Sequence, residues 1–141
     1  MSAIRTFKDL DAWKVGMDVI DATYSITTRF PSDERFGLVS QMRRAAVSVP
    51  SNVAEGQAVK SYRWSLRHVV IAIGSLAELQ TQLEAAVRLK FITEADAAPI
   101  DSLLQRCQQI LYGLRREKER RLATGAASVL VAVVAVATLL L

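Results

Sequence analysis

The side chains able to do chemistry in this chain are few, and they gather near its middle. Arg43 and Arg44 form one basic pair, and Lys60, Arg63, Arg67 and His68 form a second group. Lys60, Arg63 and Arg67 stand at i, i+3 and i+7, a spacing that puts all three on one helix face. Such a face binds phosphates without reading base sequence, and Tyr62 and Trp64 beside it offer rings on which unpaired bases stack. The bland reading of the same residues is a solvated face with its aromatics buried. A third basic run, RREKERR from Arg115 to Arg121, reads as a solvated helix end favoured by the dipole, or as the basic flank of a membrane span.

Catalysis finds little to work with. His68 is the only histidine, and no Ser or Cys stands at a recognisable spacing from it. The single Cys107 excludes an intramolecular disulfide and, without nearby histidines, a zinc site. It falls on an apolar stripe, where a cysteine is a buried hydrophobe. Glu78 and Glu84 form no acid–base pair, and no phosphate-binding glycine loop occurs. No catalytic residue, metal or cofactor is expected, and a reducing compartment is.

The elements that position these groups are helices. Only three prolines and six glycines interrupt 141 residues, and no strand-period segment appears. A first helix is expected from about Asp9 to Arg29, with Leu10, Trp13, Met17, Ile20 and Tyr24 as its apolar stripe. Phe30-Pro31 ends it, and Ser32 or Asp33 caps a second helix running to Glu55. That helix carries Phe36, Val39, Ala46, Val49 and Val53 on one side and Ser40, Arg44, Ser48, Ser51 and Glu55 on the other. Pro50 predicts a kink, and Gly56 a C-terminal stop.

A third helix is expected from Ser61 to Lys90, with Tyr62, Leu66, Val69, Ile73, Leu76, Leu83 and Val87 in heptad register. Trp64, Val70, Ile71, Leu79 and Ala86 fall off that seam, so the helix packs on more than one side, and the spare apolar surface points to self-association. Gly74-Ser75 suits close approach by a neighbouring helix. Thr93 and Asp96 have capping-box spacing ahead of a fourth helix with Ile100, Leu103, Leu104, Cys107, Ile110, Leu111 and Leu114 inward. Four amphipathic helices with short links make an all-α, antiparallel up-down-up-down four-helix bundle.

Two segments follow: a bundle over residues 1–122 and an apolar tail over 123–141. The net charge of +4 lies wholly in the first, since nothing charged follows Arg121, and 13 of the 18 basic residues are arginine. The opening MSAIRTFKDLDAW has no apolar run, so no cleaved signal peptide is expected. The tail ATGAASVLVAVVAVATLLL would span about 28 Å as a helix, near the thickness of a hydrocarbon core. It reads as a membrane anchor, as a helix buried among copies of itself, or as an incidental extension.

The stretch FPSDERFGLVSQMRRAAVSVPSNVAEG (Phe30 to Gly56), with FKDLDAWK (Phe7 to Lys14) and SLRHVVIAIGSLAELQTQL (Ser65 to Leu83), resembles the bacterial four-helix-bundle family of ribosomal RNA intervening-sequence proteins. The resemblance spans roughly Phe7 to Leu114 and implies a homopentamer with a central channel. It also implies kinship with accessory proteins of diversity-generating retroelements, which assist a reverse transcriptase and bind nucleic acid. Pro50, Asn52, Glu55 and Gly56 carry its signature. Their expected role is structural, with Asn52 satisfying backbone groups freed by Pro50 and Glu55 pairing across an interface; the alternative is ligand contact. Beyond Arg121 the chain departs from the pattern.

Two functions are expected from these features. One is a cytoplasmic, non-catalytic oligomer that binds RNA, DNA or a nucleoprotein partner through Arg43, Arg44, Lys60, Arg63 and Arg67. The other is an oligomeric scaffold tethered to the inner face of a membrane by residues 123–141, with no nucleic-acid role.

Overall fold

The computed structural model describes residues 5–139; the first four residues of the bundle segment and the last two of the tail lie outside the described residues. Four helices carry the fold: α1 (Asp11–Thr27), α2 (Leu38–Ala58), α3 (Tyr62–Arg88) and α4 (Glu94–Leu139). Short 3-10 turns at Phe7–Asp9 and Ser32–Phe36 precede α1 and α2. Among the described residues there is no strand. Each helix packs on its neighbours in sequence, and α1 also packs on α4, which closes the group around one core. As residue numbers rise along α2, partner numbers fall along α3: Ser48 meets Ser75 and Asn52 meets His68.

The core is built from Val19, Met42, Val49, Val69, Leu76, Leu79, Leu104 and Leu111, all essentially sealed from solvent. Each buried Leu or Val of this kind stabilises the fold by about 1.5–3 kcal/mol relative to exposure. The fourth-helix stripe lies as the spacing predicts, with Ile100, Leu104, Cys107 and Leu111 buried and Leu103, Ile110 and Leu114 packed against them.

The first-helix stripe is corrected. Ala12, Val15, Gly16, Val19, Thr23 and Ile26 face the core, while Met17 and Tyr24 are exposed and Trp13 and Ile20 half-buried. Both rows satisfy helical spacing, and the row of smaller side chains is inside because α2 comes close. A Cβ on Gly16 would lie 3.0 Å from Pro50 Cβ. Phe36 is likewise not core; it ends the 3-10 turn, 86% exposed, beneath the Arg35 guanidinium.

The caps differ as well. Neither Ser32 nor Asp33 caps α2; Leu38 N–H donates to Glu34 Oε2 at 2.9 Å. Gly56 does not stop α2, which runs on to Ala58. It is buried, and a Cβ there would lie 3.0 Å from His68 Cβ and 3.3 Å from Ser65 Cα. Gly74, expected to admit a neighbour, meets nothing within 4 Å inside the protomer. In α3, Ala72, Leu79 and Ala86 join the heptad residues in the core while Tyr62 is exposed. α3 ends where Lys90 takes a left-handed φ of 61°.

The capping box at α4 is present: Thr93 N–H donates to Asp96 Oδ2 and Asp96 N–H donates to Thr93 Oγ1. Asp96 also receives both guanidinium nitrogens of Arg29 at 2.8 and 3.1 Å, tying the ends of α1 and α4 together. The Arg29 guanidinium and the Thr93 donors hold the Asp96 carboxyl well below the usual carboxylate range. A depressed folded pKa contributes stability that is complete above the unfolded carboxylate pKa of about 4 and is lost as pH falls below it. Asp96→Asn should therefore flatten the acid side of the stability profile below about pH 4 and leave its neutral side sloping as before, read by urea unfolding across pH. An unchanged acid limb would rule out the clamp.

Candidate nucleic-acid interface

The turn from α2 into α3 sets the geometry of the basic group. Ser61 is the cap of α3, its hydroxyl accepting from Trp64 N–H at 3.3 Å. Lys60 precedes the cap, so only Arg63 and Arg67 share the helix face expected for all three. Both are exposed, and the Arg67 guanidinium lies 5.9 Å over the Trp64 ring. Trp64 in turn rests against the His68 imidazole at 4.8 Å.

The far end of the bundle segment completes the patch. Lys118 Nζ lies 5.5 Å and the Arg121 guanidinium 5.8 Å over the ring of Tyr62. The basic run Arg115–Arg121 thus reaches Tyr62, at the start of the helix that carries Arg63 and Arg67. Lys118 is buried, with its ammonium held over that ring. Arg121 lies 3.9 Å from Glu117, whereas Lys60, Arg63, Arg67 and Lys118 have no carboxylate partner among the described residues.

Arg43 and Arg44 lie elsewhere. Arg43 Nε donates to Thr27 Oγ1 at 3.0 Å, and its guanidinium stacks 4.5 Å over Tyr24, so it fastens α2 to α1. Arg44 is exposed in a hollow with Gln41, Ser48, Ser75 and Glu78. Eleven residues separate Arg67 from Glu78 on α3, about 16 Å at the helical rise. The structure therefore keeps Arg63 and Arg67 on one face of α3, leaves Lys60 before the cap and off that face, and sets Arg43 and Arg44 apart from them. Lys118 and Arg121 escaped the sequence reading of this patch. Their contacts with Tyr62 join positions more than fifty residues apart, which no local pattern reveals.

The signature residues hold helices together. Asn52 Nδ2 donates to Ser48 O at 2.9 Å and Ser48 Oγ at 3.1 Å, and its Oδ1 lies 3.0 Å from His68 Nδ1. Because the amide oxygen only accepts, His68 Nδ1 carries the hydrogen. The same nitrogen lies 3.4 Å from Glu55 Oε2, and Ser48 Oγ lies 2.8 Å from Ser75 Oγ. The expected role of Asn52 is corrected: a proline at 50 frees the carbonyl of Ala46, four residues back, and Asn52 bonds that of Ser48 instead. Glu55 has its partner, His68, within the protomer. Pro50 and Gly56 mark where α1 and α3 approach α2.

Among the described residues no three His, Cys, Asp or Glu side chains converge as metal ligands. Cys107 is sealed in the core, where burial pushes its thiol up to about 11. Among the described residues no helix is long and apolar enough to cross a membrane. Ala123 to Leu130 are nonetheless helical and exposed, continuous with the bundle part of α4.

Four helices around one core, with the signature residues at their crossings, make this a helical-bundle protein. It belongs to the 23S rRNA-intervening sequence protein family, whose profile matches residues 8–113. The match ends before the run Arg115–Arg121 and the tail. The fold is also similar to the crystal structure of a protein with unknown function from the S23 ribosomal protein family of Bacteroides thetaiotaomicron VPI-5482. That alignment covers 72% of this chain and 98% of the other, with a TM-score of 0.57 and 18% identity. No curated protein matches the chain.

Proposed function

We propose that this chain is a non-catalytic, oligomeric bundle, antiparallel in up-down-up-down order and pentameric, that binds single-stranded or structured RNA through its basic end. Lys60, Arg63, Arg67 and Arg121 supply phosphate contacts, and Tyr62 and Trp64 supply stacking surfaces. The observation that carries this reading is the packing of Lys118 and Arg121, from the end of the bundle segment, on the exposed ring of Tyr62 next to Arg63 in sequence, an arrangement suited to backbone charge and base faces together. The family's name, which ties it to sequences interrupting 23S rRNA, supports RNA over DNA. A ring of copies would repeat the patch.

Four phosphate contacts on a single strand predict roughly a fiftyfold loss of affinity between 50 and 200 mM salt. Arg63→Glu combined with Arg121→Glu should abolish the gel shift of a labelled single strand while helicity and assembled mass are kept. Arg44→Glu should change it little, because Arg44 lies outside the patch. Wild-type protein that shifts no RNA at 50 mM salt would end this reading. Light scattering should give five times the protomer mass, and a clean monomer would end the assembly part alone.

A second reading rests on α4 alone. Its charge-free extension begins where the basic residues end, and Val129, Leu130 and Val133 are largely exposed. A membrane would cover that surface, with the Arg115–Arg121 run on the cytoplasmic side.

A further inference from the structure

The extension of α4 has two sides. Leu122, Gly125, Ala126, Val129, Leu130 and Val133 recur at helical spacing and line one face of it. Thr124 and Ser128 stand behind that face. Both spend their hydroxyls on their own helix, Thr124 on the carbonyls of Arg120 and Arg121 and Ser128 on that of Thr124. The apolar face is left to solvent, with Val129, Leu130 and Val133 between 60 and 66% exposed.

At the foot of that face lies the start of α3. Tyr62, Arg63 and Arg121 close one end of a groove of about 560 Å³ whose wall is the apolar face. Gly125 lines the groove, and a Cβ there would meet no atom within 4 Å, so the space along the helix is open. Arg63 has no carboxylate partner among the described residues, and Arg121 has Glu117 only at 3.9 Å. One end of the groove is therefore cationic and the rest apolar.

That division of charge and apolar surface fixes the chemistry of the occupant. An anionic head pairs with the two guanidiniums, whose planar forks grip phosphate through paired donors, and hydrocarbon covers the stripe. From Leu122 to Val133 the stripe is about 16 Å long at the helical rise, close to one leaflet's half of the roughly 30 Å hydrocarbon core. Tyr62 stands at the level of Arg121, where an aromatic ring suits the boundary between head groups and chains. RNA would supply the phosphate but leave the stripe bare. A zwitterionic lipid would cover the stripe but bring its own cation to the arginines.

We propose that this groove holds one acyl chain of an anionic phospholipid, its phosphate between Arg63 and Arg121 and the chain along Gly125 to Val133. The inference rests on the reading that α4 meets a membrane, and names the lipid it meets there. Its test is native mass spectrometry of the full chain, released from nonionic micelles holding equal phosphatidylglycerol and phosphatidylcholine of the same acyl chains. Wild-type protein should retain phosphatidylglycerol about tenfold or more over phosphatidylcholine. Arg63→Gln with Arg121→Gln, both at exposed positions, should remove that preference. Gly125→Trp fills the groove and keeps both charges, and should cut phosphatidylglycerol retention about tenfold. Ala127→Trp puts the same bulk on the other side of the helix and should leave retention as it is. Gly125→Trp retaining as much lipid as the wild type would overturn the proposal. Displacement by excess glycerol phosphate, a head without a chain, would overturn it in favour of a free-phosphate site. Equal retention of the two lipids by a chain that fractionates with membranes would overturn the groove while the membrane reading stands. A chain that retains neither lipid and stays in the supernatant would remove both.

Discussion

Gly56→Val should lower the melting temperature of the bundle by roughly 10 °C, a loss of about 3 kcal/mol from adding three carbons. The cause is the absence of room. Even the first of those carbons would lie 3.0 Å from His68 Cβ and 3.3 Å from the Ser65 backbone, both on α3. Helix propensity opposes the loss, since glycine in a helix interior costs about 0.5–1 kcal/mol relative to alanine, but the crowding is larger. Gly74→Ala supplies the contrast within one helix pair. Nothing stands within 4 Å of its new Cβ, so the folded protomer should gain up to about 1 kcal/mol. Circular-dichroism melts at low protein concentration separate the two. A Gly56→Val protein melting with the wild type would mean that α2 and α3 are not in the contact described.

The glycines also show what the sequence leaves illegible. Helix number and order could be read from Pro31, the Thr93–Asp96 capping box and the apolar period, but not the start of α2 at Leu38 or the run of α4 on to Leu139. Which of two apolar rows on α1 faces inward could not. Trp13, Met17, Ile20 and Tyr24 keep helical spacing as well as Val15, Val19 and Ile26 do. The choice is made by a tertiary contact, Gly16 on Pro50, that no local pattern encodes. Gly56 misleads in the same way: near a helix end a glycine reads as a stop, and only the position of Ser65 shows that it is a crossing point. Phe36 has the spacing of a core residue but precedes α2, where a 3-10 turn breaks the helical phase.

At the candidate site, composition pointed to the basic residues of α3 but not to their company. Arg43 and Arg44 are neighbours of the signature in sequence, yet Arg43 is occupied with Thr27 and Tyr24. Lys118 and Arg121 entered from the other end of the chain. The tie of Asn52 to His68 was hidden for a related reason. A lone histidine suggests chemistry or nothing, and its partner becomes visible only when α2 and α3 are set side by side.

Ending the chain at Leu122 should leave the bundle's stability within about 0.5 kcal/mol of the full chain and, on the second reading proposed above, move the protein from the membrane fraction to the supernatant. The first half of this follows from packing. Residues 123–130 are exposed throughout, and the buried core ends well before them, at Leu111 with Lys118 beyond it. The second half follows from what the removed helix shows to water, with Val129 at 65% and Leu130 at 66% exposure and no charge after Arg121. Transfer of such side chains out of water contributes about 25 cal/mol per Å² of apolar surface, which favours any apolar cover available. The basic residues at the foot of the extension supply a second, electrostatic hold that a high-salt wash removes. The comparison is therefore made after that wash, on fractions separated by centrifugation without detergent. Full-length protein left in the supernatant would exclude the anchor. A truncation that then lowers the assembled mass would place the stretch among other copies of the chain, and one that leaves it unchanged would make it an incidental extension.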